Sequence, residues 1–376
     1  MIILKSKFLV AVLLVLLLIP VMRMEASEKN VLFLGDISFG ENYMILEGVN
    51  TIKGDRRYIL PLKNFRRILN DAELVIGNLE TPVTRDFSDL VAGKAYIHWT
   101  DPEKAPDALY KSNIMALSLA NNHTLDYGVK GLKDSFESLE KAGLYFFGAG
   151  MDSREAMEPF HFRIKSGKEW TDWFVIAGFE YYKKYDRYDF YSDRQKPGVN
   201  RLDIKAVAEE IEKIKSDYPE SRVIIYPHWG GNYRWRTRQQ QRMARELIEA
   251  GADLIIGHGA HMMQEIEYYR GKWIVYSLGN FVFNSQGRYE RYGVDPFSLI
   301  ASLELTEGEG RRSWKLKLYP IFTDNRITRY QGFFLEKKDF DKVLGILEEK
   351  DSSGSFKAKA VSGRDQFGYF MELPLN

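Results

Sequence analysis

The amino-acid sequence predicts an α/β fold, and three observations support that prediction. Short apolar runs followed by glycine or polar residues are typical of buried strands. Stretches with apolar residues at helical spacing lie between these runs, which is the alternation expected of an α/β architecture. The runs also end in residues that commonly bind metal ions, so the pattern indicates a functional site as well as a fold.

Five of the apolar runs place an aspartate, a glutamate, an asparagine or a histidine at or near their ends. They are VLFLGD (31–36), ELVIGNLE (73–80), IMALSLANNH (114–123), RVIIYPH (222–228) and DLIIGHGAH (253–261). The carboxyl ends of buried strands converge on one edge of an α/β sheet, and ligands bind there. We therefore expect these side chains to meet at one edge and to form a coordination shell.

Helices are expected between the runs, and further strands after them. The candidate helices are 60–70, 102–111, 129–142, 204–216, 238–250 and 339–349. Gly143 and Gly251 follow two of them and are typical stop signals. Residues 271–283 indicate a strand pair or a strand with a turn, and 180–198 a loop or hairpin near the active edge.

The pattern changes to β from residue 297, and these closing strands allow two arrangements. In the first arrangement they add a second sheet to the core. In the second they form a small separate β-domain, which is disfavoured because residues 271–283 run into these strands without a linker. We predict one domain over 30–330, with 331–376 as a helix and strand extension that packs on it.

Composition narrows the chemistry. The 376 residues include 53 basic and 52 acidic side chains, so the net charge of +1 does not indicate a nucleic-acid partner. The sequence has no cysteine, which excludes disulfides, a thiol nucleophile and a cysteine-rich zinc site. Any metal ion must be held by nitrogen and oxygen ligands.

The N-terminal segment is typical of export. Lys5 and Lys7 precede an apolar run, 8–22, whose length suits a signal peptide better than a membrane-spanning helix. Met24-Glu25-Ala26 is a poor cleavage site because methionine occupies a small-residue position. We expect residues 1–26 to be a signal peptide or an anchor, and the protein to be periplasmic, extracellular or membrane-anchored and facing outward.

Asp36, Asn78 and Glu80 are the oxygen donors of the first two runs. Asp36 is a suitable ligand for a divalent ion, although an aspartate after a strand also caps turns. Glu80 either bridges two metal ions or caps the turn at Thr81-Pro82. Asn78 binds metal or substrate, or it holds the turn.

Asn122 and His123 follow the third run, and histidines dominate the last two. In a hydrolase Asn122 would contact a metal ion and His123 would protonate a leaving group; the alternative is a local Asx-turn network. His228 alone resembles a core histidine, but His258 and His261, separated by Gly259-Ala260, favour a site for Mn, Zn or Fe, with one or two ions.

Two other groups of residues are less specific. His98 could line a cleft, whereas His161 alternates with phenylalanines and is interpreted as structural. Arg234 and Arg236 are candidate contacts for an anionic substrate because guanidinium groups bind carboxylate and phosphate in a bidentate manner. The arginines at 238–245 are interpreted as a solvated helix face.

Several of these motifs together resemble the CapA family, also called the PgsA or poly-γ-glutamate capsule biosynthesis proteins, within the calcineurin-like metallophosphoesterase superfamily. The matching segments are FLGD (33–36), IGNLETPVT (76–84), LANNHTLDYGVKGLKDSFESLEKAGLYFFGAG (119–150), PHWGGNY (227–233) and ADLIIGHGAHMMQEIEYYRGKWIVYSLGNFVF (252–283).

This resemblance implies a two-sheet β-sandwich flanked by helices (α/β/β/α) with a dinuclear-type metal site. It implies metal ligands at Asp36, Glu80, Asn122, His228, His258 and His261, and proton transfer by His123. The sequence departs from the pattern at Ser38, where the superfamily has histidine, at Ala260 between the last two histidines, and at Asn232, where glutamate is expected.

Three functions remain open from the sequence. The first is an exported metal-dependent hydrolase or transferase acting on poly-γ-glutamate or a related polyanion of the capsule. The second is a non-catalytic component that works with membrane polymer-synthesis and export proteins. The third is a periplasmic phosphomonoesterase.

Overall fold

The structure is a computed structural model that describes residues 22–24, 29–40, 56–166, 168–308 and 311–375. The predicted signal or anchor segment lies outside these residues except for Met22–Met24, which forms a short strand. Within the described part of the chain, no helix combines the length and apolarity that crossing a bilayer requires.

Nineteen strands lie in the described ranges. In chain order they are β1 (Met22–Met24), β2 (Lys29–Ser38), β3 (Leu74–Leu79), β4 (Ile114–Ser118), β5 (Tyr145–Phe147), β6 (Ala149–Gly150), β7 (Phe160–Ser166), β8 (Glu169–Phe179), β9 (Gly198–Val199), β10 (Arg222–His228), β11 (Leu254–Ile256), β12 (Ile266–Tyr269), β13 (Lys272–Val275), β14 (Asn280–Phe283), β15 (Phe297–Gly308), β16 (Arg311–Phe322), β17 (Phe333–Phe334), β18 (Val361–Arg364) and β19 (Tyr369–Leu375).

The helices lie mostly where apolar residues recur at helical spacing. They are Arg56–Ile59, Arg66–Asp71, Lys104–Lys111, Gly128–Lys141, Ser153–Met157, Ile204–Asp217, Arg238–Glu249, Tyr289–Tyr292, Asn325–Thr328, Lys337–Lys350 and Ser355–Lys359, with 3-10 helices at Leu60–Phe65 and Lys183–Tyr188. Thr237 and Gln240 form a reciprocal capping box at the start of Arg238–Glu249. The predicted helix over 60–70 is instead a 3-10 helix followed by a short α-helix.

Two large sheets form the centre of the molecule. One has the strand order β1-β7-β8-β10-β11-β13-β12, and the other has the order β18-β19-β16-β15-β2-β3-β4-β5, with β14 added beside β2 and β17 beside β16. Strands β2, β3 and β4 are parallel, and so are β8, β10 and β11. Each sheet therefore has a carboxyl edge at which polar residues can collect.

The two sheets pack face to face, with helices outside. One apolar cluster contains Phe33 and Ile76 from the ten-stranded sheet together with Val175 and Ile224 from the seven-stranded sheet. The hydroxyl of Tyr226 donates a hydrogen bond to the carbonyl of Leu34 across this layer. Separate clusters join the outer face of each sheet to its helices. The architecture is an α/β/β/α sandwich, as predicted.

The segment 271–283 connects the sheets. It forms two strands, but β13 pairs with β11 in one sheet whereas β14 pairs with β2 in the other. The chain crosses between them at 276–279, where Gly279 adopts a φ of 77° and its carbonyl accepts the Asp36 N–H at 2.9 Å. A Cβ at Gly35 would lie 1.8 Å from that carbonyl oxygen, so this crossing requires glycine.

The closing strands extend the ten-stranded sheet. β15 pairs with β2 and with β16, and β19 pairs with β16, all antiparallel. Neither a new sheet nor a separate β-domain forms from 297–330 in the described residues. Adding strands to the free edge of β2 buries that edge and avoids an additional core.

Candidate metal centre and adjoining cleft

Five buried side chains converge where the carboxyl edges of the two sheets face each other. Asp36 lies near the end of β2, Glu80 follows β3, His228 ends β10, and His258 and His261 follow β11. Their potential ligand atoms form two groups, Asp36–His228–His258 and Asp36–Glu80–His261, and within each group the atoms lie within 4.8 Å of one another. Asp36, rather than Glu80, is the carboxylate common to both groups.

The spacing of the donor atoms suits a divalent ion. His258 Nδ1 lies 3.3 Å from Asp36 Oδ1, His261 Nδ1 lies 3.4 Å from Asp36 Oδ2, and His228 Nδ1 lies 3.7 Å from Asp36 Oδ1. Two ligands bound to one tetrahedral ion at about 2.1 Å lie about 3.4 Å apart. The side chains are therefore separated by about the distances that shared coordination requires.

Unsatisfied polar atoms provide a test of fit that does not depend on spacing. Both carboxylate oxygens of Glu80 and Nε2 of His258 are buried, and none of the three has a hydrogen-bond partner among the described residues. Buried polar atoms in native proteins almost always have partners, and an unpaired buried carboxylate costs several kcal/mol. A cation bound in the Asp36–Glu80–His261 group would remove that cost for Glu80, so the residues present fit a divalent metal ion.

Asp36 is fixed by hydrogen bonds that leave room for a metal ion. The Asn78 amide donates to Asp36 Oδ1 at 2.9 Å, and the Gly259 N–H donates to Oδ2 at 3.1 Å. Gly259 has a φ of 101°, and a Cβ there would lie 3.0 Å from His228 Nε2. The side-chain amide of Asn121 in turn donates to Asn78 Oδ1 at 3.0 Å, so these polar side chains are held in place by one another.

The electrostatics of the group also favour a cation. Burial and the neighbouring Asp36 raise the pKa of Glu80. Burial lowers the pKa of His228 to about 3, which keeps its ring neutral and able to bind metal. Burial also lowers the pKa of His261, but the carboxylates of Glu80 and Asp36 outweigh it and raise the value to about 9. A positive charge is therefore stabilised between the two carboxylates.

His123 lies beside these residues and has its own support. Its Nε2 is 3.8 Å from Glu80 Oε1, and its Nδ1 is 2.7 Å from Asp126 Oδ2. Lys94 Nζ pairs with Asp126 Oδ1 at 2.6 Å, and the His98 N–H donates to Asp126 Oδ2 at 2.7 Å. With Nδ1 directed at a carboxylate, His123 presents Nε2 to the centre, as a proton-transfer residue would.

A cleft of about 480 Å³ opens on the centre. His98, Asn122, His123 and His261 form part of its wall. Asn122 is half-buried and contributes a hydrogen bond to Tyr185, so its amide lies at the cleft surface beside the five buried donors. The wall contains five basic residues, namely Lys94, Lys184, Arg187, Arg234 and Arg288, and its described residues include no carboxylate.

The three residues predicted to contact substrate, Asn78, Arg234 and Arg236, do not lie together in the structure. Arg234 lines the cleft, but Arg236 does not. The Arg236 guanidinium lies over the Tyr276 ring at 5.3 Å, and the backbone N–H of Arg236 donates to Glu265. Asn78 is fully buried under Asp36 and also stays away from the cleft wall. Hydrogen bonds hold the Asn78 side chain beside Asp36, and the Arg236 side chain packs on Tyr276, so both lie away from the cleft wall and their contacts with substrate stay predictions.

The remaining polar residues of the sequence analysis have definite places. Ser38 Oγ lies 2.6 Å from Thr81 Oγ1 and belongs to neither group of ligands. His161 Nε2 lies 2.7 Å from Asp172 and its ring stacks on Phe174, a structural role. Sequence reasoning did not assign Lys94, Asp126, Lys184, Arg187 or Arg288; only Asp126, three residues after His123, had a signal in its spacing.

The fold and the site define an α/β sandwich protein with a candidate divalent-metal centre at the meeting edges of its sheets. The chain belongs to the family described as bacterial capsule synthesis protein PGA_cap, whose model matches residues 30–285.

Two curated relatives have related descriptions. The capsule biosynthesis protein CapA of Bacillus anthracis is 28% identical over 275 residues, 70% of this chain and 62% of that protein. The PGA biosynthesis protein CapA of Bacillus subtilis (strain 168) is 32% identical over 256 residues, 67% of this chain and 62% of that protein. The chain thus covers less than two thirds of the length of either relative.

Among solved structures, the calcineurin-like phosphoesterase YfkN from Bacillus subtilis aligns over 85% of this chain and 99% of that chain, with 13% identity and a TM-score of 0.43. Similarity at this level is too low to support a functional inference.

Proposed function

We propose that the protein is an exported metal-dependent hydrolase that acts on an anionic polymer of the capsule, with poly-γ-glutamate as the substrate class. One observation supports this most directly: the buried ligand cluster, in which Glu80 lacks a hydrogen-bond partner among the described residues, adjoins through His123 and His261 a cleft whose charged side chains are all basic. The family description and the names of the CapA relatives supply the polymer. Export rests on the sequence of the N-terminal segment, and membrane polymer-synthesis proteins are the proposed partners.

The proposed ligands are Asp36, Glu80, His228, His258 and His261, with Asn122 at the cleft side. Bound there, Mn, Zn or Fe would supply Lewis-acid polarisation of an acyl or phosphoryl oxygen and activation of water. Hydrolysis of an amide adds the oxygen of water to the carbonyl carbon, breaks the C–N bond and transfers a proton to the leaving nitrogen. Burial lowers the pKa of His123, so its Nε2 would first accept a proton from the attacking water and then pass it to the leaving nitrogen, while Asp126 holds Nδ1.

One structural feature favours the non-catalytic alternative. Ser38 occupies the position at which the superfamily carries a histidine, and its hydroxyl is engaged with Thr81. A centre with one donor fewer binds a second ion more weakly, which suits a protein that organises a polymer-export complex without cutting the polymer.

The decisive experiment measures metal content by plasma mass spectrometry on the purified protein and on His258→Ala/His261→Ala. We expect stoichiometric Mn, Zn or Fe in the unsubstituted protein and loss of at least about 90% of it in the variant, since both groups of ligands lose a member. Hydrolysis of poly-γ-glutamate should disappear with the metal. His161→Ala serves as the control, because that histidine lies outside both groups.

Two results would count against the proposal. A protein without metal after supplementation would support the non-catalytic role. Turnover of aryl phosphates with no cleavage of the polymer would support a phosphomonoesterase.

A further inference from the structure

The basic residues of the cleft fall into two sets on different sides of the centre. The first set, here called the Lys184 cluster, consists of Lys94, Lys184 and Arg187. The second, the Arg234 cluster, consists of Arg234 and Arg288. A phosphomonoester presents one anionic group, and one set of cations is enough to bind it.

The Lys184 cluster lies next to His123. Lys94 Nζ is 3.3 Å from His123 Nδ1, and Lys184 Nζ lies 4.9 Å from the centre of the Tyr185 ring. Burial lowers the pKa of Lys184, and so do the nearby charges of Lys94 and Arg187. Asp126 pairs with Lys94, but among the described residues no carboxylate pairs with Lys184 or Arg187, so these two side chains leave positive charge at this end of the cleft.

The Arg234 cluster lies next to His261. The ring of Tyr233 lies 5.6 Å from the His261 ring and is followed directly by Arg234. The Arg288 guanidinium lies 4.4 Å from the centre of the Tyr96 ring, which also lines the cleft. Arg234 is exposed, and the described part of the chain provides it with no carboxylate partner.

Glu80 is near both of the histidines that adjoin the two clusters. His123 Nε2 faces Oε1 of Glu80 at 3.8 Å, whereas His261 Nδ1 faces Oε2 at 3.9 Å. His123, beside the Lys184 cluster, and His261, beside the Arg234 cluster, are thus each nearest to a different oxygen of the Glu80 carboxylate. A ligand that neutralised both clusters would have to pass over the centre.

We propose that the cleft binds a linear polycarboxylate across the metal centre, with carboxylate groups on both sides of the bond that faces the metal ligands. This deepens the proposed function, on which it rests for the identity of the polymer. The consequence is recognition of an internal bond of the chain instead of its terminus. A polyphosphate presents the same kind of charge and is the alternative ligand that the experiment distinguishes.

The test measures binding by fluorescence anisotropy with a labelled γ-linked glutamate oligomer and the full chain. Lys184→Ala/Arg187→Ala and Arg234→Ala/Arg288→Ala should each weaken binding at least about tenfold, because each removes two charged contacts. Arg238→Ala/Arg242→Ala removes the same charge from an exposed helix face outside the cleft and should change the affinity less than about twofold. Melting temperature and metal content should stay constant in all three variants.

An unchanged affinity in either cluster variant would overturn the proposal, since the ligand would then occupy one side only. Binding of a labelled polyphosphate in place of the glutamate oligomer would overturn the assignment to a polycarboxylate. The lengths of the hydrolysis products give an independent readout. Fragments of several residues are expected, and release of single glutamate residues would contradict recognition of an internal bond. Because anisotropy does not require turnover, an inactive but binding-competent protein would reject the hydrolase proposal and leave this one standing.

Discussion

The carboxylate of Glu80 lies in the protein interior, and no hydrogen-bond donor among the described residues satisfies it. Glu180 is a useful contrast, because it is almost as buried but accepts hydrogen bonds from the Tyr182 hydroxyl at 2.6 Å and the Gly230 N–H at 2.8 Å. Glu180 is hydrogen-bonded within the protein, whereas Glu80 has two oxygens that a cation could bind. Their partners, not their burial, separate the two roles.

Substituting these glutamates should have opposite effects on stability. In the presence of a chelator we expect Glu80→Gln to raise the free energy of unfolding by about 1–3 kcal/mol, because a neutral amide costs less to bury than an unpaired carboxylate. Glu180→Gln should lower it by a similar amount. Urea unfolding measures both. Glu80→Gln should also weaken metal binding at least about tenfold, and a Glu80→Gln protein that is less stable without metal would contradict this account.

At this scale the sequence identifies donors better than it identifies their neighbours. Asp36, His228 and His258 follow apolar strands, where backbone geometry determines the direction of a side chain, and their convergence could be predicted. Lys184 and Arg288 lie in segments without periodicity. The sequence predicts that the loop 180–198, which contains Lys184, lies near the active edge, but only the tertiary fold shows which of its side chains reach the cleft.

At the scale of elements, Asp253, directly before β11, connects that strand to the helix Ile204–Asp217 and to strands β10 and β13. Its carboxylate accepts hydrogen bonds from Lys215 Nζ and Lys272 Nζ, both at 2.8 Å, and from the Val223 N–H at 2.9 Å. Burial raises the pKa of Asp253, but these hydrogen bonds outweigh it and hold the pKa below its usual value. The group thereby fixes the helix Ile204–Asp217 to the start of three strands.

Asp253→Asn should destabilise the protein in a pH-dependent way. Because the folded-state pKa is lowered, the contribution of Asp253 is fully present above the unfolded value of about 3.9 and is lost as the pH falls through the folded value. We expect a loss of about 1–3 kcal/mol at pH 7 and a smaller loss below about pH 4. Asp217→Asn, at the exposed end of the same helix, is the control. Equal losses at both pH values would contradict the charged role.

Element positions were predicted well where periodicity is strong and poorly where the chain changes sheets. The helices Gly128–Lys141 and Ile204–Asp217 agree with the predicted 129–142 and 204–216. The segment 271–283 was recognised as β, but its assignment to two sheets was not, since strand pairing is a long-range property that apolar alternation does not encode.

For the molecule as a whole, the site lies where two sheets meet and not at one edge of a single sheet. Asp36 and Glu80 come from the ten-stranded sheet, and His228, His258 and His261 come from the seven-stranded sheet. The sequence predicted that the donors converge, but it predicted one edge, because apolar runs reveal strands without revealing how many sheets they form.

Metal binding should therefore stabilise both sheets together. A ligand present at about 100 times its dissociation constant adds about 2.7 kcal/mol to the free energy of unfolding, so metal addition after chelation should raise the melting temperature. Hydrogen exchange should slow at the amides of Glu80 and Gly259 in parallel. His258→Ala/His261→Ala should show neither effect, and protection confined to one sheet would contradict a shared centre.

The hydrogen bond between Gly259 and Asp36 joins residues 223 positions apart in the chain. Contacts of such long range form late in folding, because the intervening chain must be ordered first. The ligand set is thus assembled only when folding is nearly complete, and an unfolded chain offers its histidines and carboxylates separately and weakly. Affinity alone would favour whichever ion is highest in the Irving–Williams order. We therefore expect that a metal bound at this centre would be selected by the ions available in the compartment where the chain finishes folding.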